Sequence, residues 1–382
     1  MISKRYTAWI AALLVALLAP LAVSAKNIEL RPPEVSGKAW LLIDYHSDQV
    51  LAAHNSEIAL PPASLTKLAV AYVLFQRLRD GKVHLADTVT VSAHAAQAQG
   101  TSMFLRTGEK ISVEELLRGL LAVSANDAAI ALAEHVADTE TAFVAQMNAV
   151  AQNLGMTRTH FVTANGLPAP GHTTTARDLA RLSTALLRDF PENYTWFSIK
   201  EFAHNGIRQY NRNALLWRDP TVDGFKTGQT REAGYCIIAS AKRDAMRLIV
   251  VVLGEANENA RVVSAQQLLN YGFHHYETRL LYNAHTPLTK IRIWMGNSAE
   301  LSLGPTHDLY LTLPRGWYDR IQAHVTVARN QVAPVRIGQP IGSISIDLDQ
   351  TRIAEYPLVA LQDVAEGNVF QRALDFVRLR LQ

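Results

Sequence analysis

The hydrophobic pattern changes period once along the chain, and that change constrains the fold more than any other feature. From residue 26 to about 283, apolar residues recur at helical spacing between turn signals. From 284 to about 363 they alternate in short runs, such as Lys290-Ile291-Arg292-Ile293-Trp294, residues 307–313 and residues 322–328, set apart by Gly, Pro and Asn. Alternation over such lengths is the pattern of a small all-β module. Thr286-Pro287 reads as a linker between the two regions. The first region is not purely helical. Residues 234–241 and 246–253 are apolar runs joined by Lys242-Arg243-Asp244-Ala245, which predicts an antiparallel hairpin. The expectation is a mixed α/β (α+β) domain over 26–283 and an all-β domain over 284–365. With 48% apolar and 19% charged residues, two packed cores are within reach and global disorder is excluded.

Both ends have their own character. Residues 1–25 carry Lys4 and Arg5, then an apolar run from Trp9 to Val23, then Val23-Ser24-Ala25. That reads as a secretory signal peptide rather than the alternative, an uncleaved membrane anchor, because the run of about 15 residues is shorter than the roughly 20 needed to span a bilayer. Residues 366–382 predict an amphipathic helix, with Phe370, Ala373, Leu374, Val377 and Leu381 on one face and Arg372, Asp375 and Arg378 on the other. A basic helix of this kind suits an anionic membrane surface, and equally a dock on its own domain.

Charge and composition remove several classes of function. A net charge of +3, from 37 Lys and Arg against 34 Asp and Glu, is too small for a nucleic-acid binder. One cysteine excludes an internal disulfide framework, and Cys236 sits in an alternating run as a buried strand residue rather than a nucleophile. No His, Asp and Glu trio has metal-ligand spacing, and no Gly-rich phosphate loop is present, so neither metal nor cofactor is expected.

Three short motifs carry the chemistry. Pro61-Pro62 precede Ala63-Ser64-Leu65-Thr66-Lys67, and a helical pattern runs from Leu65 to Arg79. Ser64 and Lys67 are three apart, so they share a helix face. A serine becomes a nucleophile when a base takes its proton, and a lysine is such a base only when its pKa is depressed. Ser124-Ala125-Asn126 opens another helical pattern; capping is its ordinary explanation, and a proton relay with an amide-holding site is the functional one. Lys226-Thr227-Gly228 precedes a strand-like run, where a cation, a hydroxyl and an open strand edge suit a peptide ending in a carboxylate. A second cation there would also help keep Lys67 neutral.

Each motif is common, but the ordered set is the signature of β-lactamases and penicillin-binding proteins. The chain resembles the low-molecular-mass penicillin-binding proteins, specifically the serine D-alanyl-D-alanine carboxypeptidases of Gram-negative bacteria. The resemblance extends to Gly100-Thr101-Ser102-Met103-Phe104-Leu105, Asn211-Arg212-Asn213 and Val222-Asp223-Gly224, and to the order of signal, catalytic domain, β module and terminal helix. It implies a β-lactamase/transpeptidase-like catalytic domain and release of D-alanine from peptidoglycan pentapeptide stems. It implies Ser64 as the acylated nucleophile, Lys67 as its base and Ser124 as the group that helps protonate the leaving D-alanine. Asn126, Lys226, Thr227 and Gly228 would bind substrate, with Arg212 and Arg261 assisting carboxylate recognition. Ser64 and Gln229 would supply the two N–H groups of an oxyanion hole. β-Lactams would acylate the same serine. The terminal helix would anchor a periplasmic enzyme to the outer face of the inner membrane.

Two departures from the family pattern stand out. Ala125 fills the middle of the second motif, and Gln229 stands where many of these carboxypeptidases carry His. Asn165-Gly166-Leu167-Pro168 lies where a class A β-lactamase has its deacylating Glu, which speaks against rapid β-lactam hydrolysis. The alternatives are an endopeptidase acting on cross-links, a β-lactamase and a murein-binding scaffold without activity.

Overall fold

A computed structural model describes residues 30–381. The expected signal peptide therefore lies outside the described residues.

The first, mixed α/β region is built on a five-stranded antiparallel sheet. Its strands are β1 (Ala39–Asp44), β2 (Val50–His54), β3 (Val222–Thr230), β4 (Gly234–Arg243) and β5 (Met246–Glu255), in spatial order β2-β1-β5-β4-β3. The hairpin read from the sequence is β4–β5, and every pairing in the sheet is antiparallel. Cys236, Ile237, Ile238 and Ala239 are all fully buried, so β4 is covered on both faces, and burial raises the Cys236 thiol to about 11. That environment removes the thiolate needed for nucleophilic chemistry.

Helices pack around this sheet. They include α1 (Lys67–Arg79), α2 (Asn126–Ala137), α3 (Glu140–Asn153), α4 (Ala176–Asp189) and α5 (Glu258–His275). Helix α1 is buried along Leu68–Phe75, in contact with α2, α3 and α4. Its apolar residues occupy every face rather than one stripe, as a helix in the centre of a core requires. A short 3₁₀ turn, Ala63–Thr66, precedes it, so the expected helix from Leu65 starts in the tighter geometry.

The second module has its own core, formed by Ile293, Leu301, Leu303, Leu311, Ile344, Ile346 and Leu358 among others. Its strands are β6 (Tyr276–Tyr282), β7 (Thr289–Arg292), β8 (Glu300–Gly304), β9 (Leu309–Pro314), β10 (Ile321–Val327), β11 (Pro340–Leu348) and β12 (Thr351–Ala360). They form one sheet in the order β7-β8-β12-β11-β10 and the pair β6–β9. Strand β6 follows α5 directly, so pairing in this module begins ahead of Thr286-Pro287. The two modules meet through a buried polar junction. Thr278 Oγ1 donates to Asp44 Oδ2 at 2.7 Å, and Thr312 bridges Thr278 and Ser47.

The terminal helix is α6 (Val369–Arg380), started by a capping box between Asn368 and Gln371. It docks through its polar side. Asp375 accepts the Met295 N–H at 2.9 Å and pairs with Arg292. Val369, Phe370, Leu374, Phe376, Val377 and Leu381 are exposed.

Candidate active site

The nucleophile candidate sits at a strained entrance to α1. Ala63, just before Ser64, has φ +49°, a left-handed conformation that costs a residue with a Cβ. The following 3₁₀ turn and the start of α1 put Ser64 and Lys67 side by side. Lys67 Nζ lies 3.1 Å from Ser64 Oγ. The lysine is fully buried and makes two shorter contacts, 2.6 Å to Asn126 Oδ1 and 2.6 Å to the Asn165 carbonyl.

These contacts define the chemistry of the amine. A neutral lysine has two N–H bonds and one lone pair. Asn126 Oδ1 and Asn165 O can only accept, so they take the two hydrogens. The lone pair is left for the hydroxyl of Ser64. Burial pushes Lys67 down to about 7, with Asp127 pulling the other way. The amine is thus a base near neutral pH.

Ser124 and Asn126 do not cap α2. Its N-cap is Ala125, without a side-chain hydrogen bond. Ser124 instead adopts the left-handed region (φ +67°) at the end of a π-helical segment, Gly119–Val123. Single π turns inside helices often mark functional positions. The buried Ser124 Oγ has no hydrogen-bond partner among the described residues. The Asn126 amide is fixed in direction, because its Nδ2 donates to the Gln99 carbonyl at 2.6 Å while its Oδ1 faces Lys67.

The third motif lies on the edge strand β3. Gly228 packs closely there: a Cβ would come within 3.2–3.3 Å of Ala63 and Leu65. Lys226 is buried, and its amine is held well below the ordinary range, first by burial and then by the charges of Lys67, Arg261 and Arg212. The expectation that a second cation keeps Lys67 neutral is not met, because Lys226 is not among the causes of the Lys67 shift. Burial leads at Lys67, and the repulsion between the two lysines registers at Lys226.

Ser64, Ser124, Thr227, Gly228, Gln229, Arg212 and Arg261 line one small polar cleft. Lys67, Asn126 and Lys226 are buried beside it. All ten residues singled out from the sequence therefore converge. Arg261 is buried, and it reaches the Gly228 and Arg212 carbonyls at 3.4 Å and Glu258 at 2.8 Å. Its Nε has no partner among the described residues. Arg212 is exposed at the rim. A larger hollow of about 580 Å³ near Gln49, Trp317 and Tyr356 has no lysine, carboxylate or histidine in its lining.

A family profile described as D-alanyl-D-alanine carboxypeptidase (Peptidase S11) matches residues 26–257. The chain belongs to the D-alanyl-D-alanine carboxypeptidase family. A second profile, the C-terminal domain of penicillin-binding protein 5, matches residues 276–366. The carboxypeptidase is 41% identical to D-alanyl-D-alanine carboxypeptidase DacC of Escherichia coli K12, over 95% of this chain and 93% of that one. It is 39% identical to DacA of the same organism, over 91% of this chain and 88% of that one. In structure it is similar to penicillin-binding protein 5 of Haemophilus influenzae, with a TM-score of 0.85 at 38% identity, covering 88% of this chain and 99% of that chain. It is also similar to penicillin-binding protein D2 of Listeria monocytogenes in a cefotaxime-bound form, with a TM-score of 0.59 at 30% identity, covering 64% and 99%. The protein is a serine-type D-alanyl-D-alanine carboxypeptidase of the penicillin-binding class, with the α+β catalytic fold and the all-β module expected from the sequence.

Two residues of the carboxypeptidase site escaped the sequence reading. Asn165 contributes its backbone carbonyl, which no side-chain pattern announces. Asp127 is buried and organises the wall of the cleft. It accepts from the Ser102 hydroxyl at 2.6 Å and from the Met103 and Leu105 N–H groups at 3.1 Å. Its position directly after Asn126 was the available signal.

Proposed function

We propose that the enzyme removes the terminal D-alanine of peptidoglycan pentapeptide stems through an acyl-enzyme on Ser64. The observation that carries this reading is the buried Lys67 amine 3.1 Å from Ser64 Oγ, held at 2.6 Å by Asn126 Oδ1 and the Asn165 carbonyl, which in the neutral form leaves its lone pair for Ser64. Lys67 takes the Ser64 proton as the oxygen attacks the D-Ala–D-Ala carbonyl. The oxyanion is held by the N–H groups of Ser64 and Gln229. Ser124 passes a proton to the departing amine as the C–N bond breaks. Water then attacks the ester, restoring Ser64 and releasing the shortened stem. The terminal carboxylate is received by Lys226 and Thr227, with Arg261 and Arg212 adding positive charge. An arriving anion supplies the opposite charge that the buried Lys226 lacks in the empty cleft.

A β-lactam presents a strained amide and a carboxylate at similar positions, so it acylates Ser64 by the same route. We place the mature enzyme in the periplasm, held at the outer face of the inner membrane by the exposed apolar side of α6. The apolar face of α6 and the signal-like residues 1–25 support this placement. No described helix is long and apolar enough to cross a bilayer.

The test is release of free D-alanine from diacetyl-L-Lys-D-Ala-D-Ala by the purified chain. Release that is abolished in Ser64→Ala is expected. Cleavage of cross-linked dimers without D-alanine release from the tripeptide would replace this reading with the endopeptidase. Flotation with anionic vesicles, with and without residues 368–382, tests the anchor; equal flotation of both forms would refute it.

A further inference from the structure

The loop that presents the Asn165 carbonyl to Lys67 is tied to the nucleophile segment by a histidine. His172 is 4% exposed and lies between two threonines. Its Nε2 is 3.1 Å from Thr66 Oγ1, and its Nδ1 is 3.3 Å from Thr163 Oγ1. Thr66 precedes Lys67 in the chain. Thr163 opens the turn that contains Asn165.

The hydrogen bonds fix the ring's role. Burial, and then the neighbouring His160, lower His172 to about 4, so the imidazole is neutral when the enzyme works. A neutral ring has one N–H and one lone pair. The Thr163 hydroxyl donates to the Leu167 carbonyl at 3.3 Å and accepts the Gly166 N–H at 3.2 Å. It therefore accepts the hydrogen of Nδ1. The lone pair of Nε2 is then filled by the Thr66 hydroxyl. The turn is also pressed onto the nucleophile's backbone, since a Cβ at Gly166 would come within 2.1 Å of the Ala63 carbonyl oxygen. The Phe161 ring meets the imidazole in a perpendicular, edge-type contact, 6.0 Å between centroids.

We propose that His172 is a positioning residue for the general base: a neutral strut from Thr66 to Thr163 that sets the Asn165 carbonyl against Lys67. By taking one amine hydrogen, that carbonyl leaves the lone pair on Ser64. This inference rests on the reading of Lys67 as the base. The charge that acts on the Lys67 amine is that of Asp127, and Lys67 in turn acts on Lys226; neither Asp127 nor Lys226 is altered by changing His172.

The test measures acylation by a fluorescent penicillin and D-alanine release from the tripeptide, across pH, with the full chain. In His172→Ala, kcat and the acylation rate are expected to fall about 10- to 100-fold with KM little changed, the scale expected for a misplaced catalytic group. A carbonyl acceptor favours the ammonium form, so its displacement should also move the acid limb of the profile to lower pH by about half a unit or more. Thr163→Val and Thr66→Val keep the ring and each cut one end of the strut, so they carry the test even if His172→Ala does not fold. Each should reproduce part of the loss. In a folded His172→Ala background, adding Thr163→Val should cost little more. Wild-type kcat and an unshifted acid limb in these variants, whatever their melting temperatures, would overturn the proposal. Lys67→Ala separates the two readings: unchanged acylation there would refute the base itself, independently of His172.

Discussion

The cleft and the terminal helix break the usual partition of residues in opposite ways. In the cleft, Lys67 and Lys226 are buried with few or no exposed atoms. On α6, Phe370 is 88% exposed and Val369 77%. Buried amines and exposed large apolar side chains both oppose the forces that fold a chain. Their costs fall differently. The cleft is a cost borne within the fold, offset by the core around α1. The helix is held through Asp375, with Leu379 half-buried one turn on, while the exposed face of Phe370, Leu374 and Val377 contributes almost nothing to folding. Each misfit marks a surface that folding alone does not explain, and in the function proposed above a peptide carboxylate answers the first and a lipid surface the second.

The strongest way to break the comparison is at the buried amine. Lys67→Met should lower the penicillin acylation rate about 10³-fold or more, within the range of general-base effects. In the same variant the lost desolvation cost of the amine is set against the lost donor to Asn126 Oδ1 and the Asn165 carbonyl, so stability near pH 7 should change by no more than about 3 kcal/mol. Acylation kinetics and thermal melts on one preparation check both halves. Acylation at the wild-type rate would mean that Lys67 is not the base.

The second effect is on the backbone beside it. Gly166 has φ +86° and no room for a Cβ against Ala63. Gly166→Ala should destabilise the protein by about 2–4 kcal/mol and slow acylation together. An unchanged melting temperature would show that the turn can move freely from the nucleophile.

The pH dependence sharpens the same point. With Lys67 at about 7, the acylation rate should climb as pH rises through 7 and then level off. Stability follows with a definite sign. The folded pKa lies below the unfolded 10.5, so the unfolded chain binds more protons between these values and stability rises with pH across that window. The stability of Lys67→Met relative to the unaltered enzyme should therefore be greatest below pH 7 and decline as pH approaches 10.5. Denaturant melts at several pH values read this directly; a constant difference would contradict a depressed Lys67.

The smallest effect on the fold belongs to α6. Phe370→Glu should leave the melting temperature nearly unchanged, within about 0.5 kcal/mol in stability. It should weaken binding to anionic vesicles by about tenfold or more, the loss of one large apolar anchor. A marked drop in melting temperature would mean that the apolar face packs on protein after all.

The sequence by itself determined the two patterns, helical then alternating, and with them the mixed domain and the β module. It also placed Ser64, Lys67, Ser124, Asn126 and Lys226 in their order, because ordered side-chain motifs are local and survive in one dimension. It read the terminal helix as amphipathic. The tertiary structure decided which side of that helix docks, because Asp375 finds the Met295 N–H only once the β module has folded. It decided that Ser124 closes a π turn rather than capping a helix, since backbone strain is fixed by packing and not by residue type. It also supplied Asn165, whose contribution is a carbonyl present on every residue. Only the approach of a loop from 98 positions away gave that carbonyl a lysine to hold.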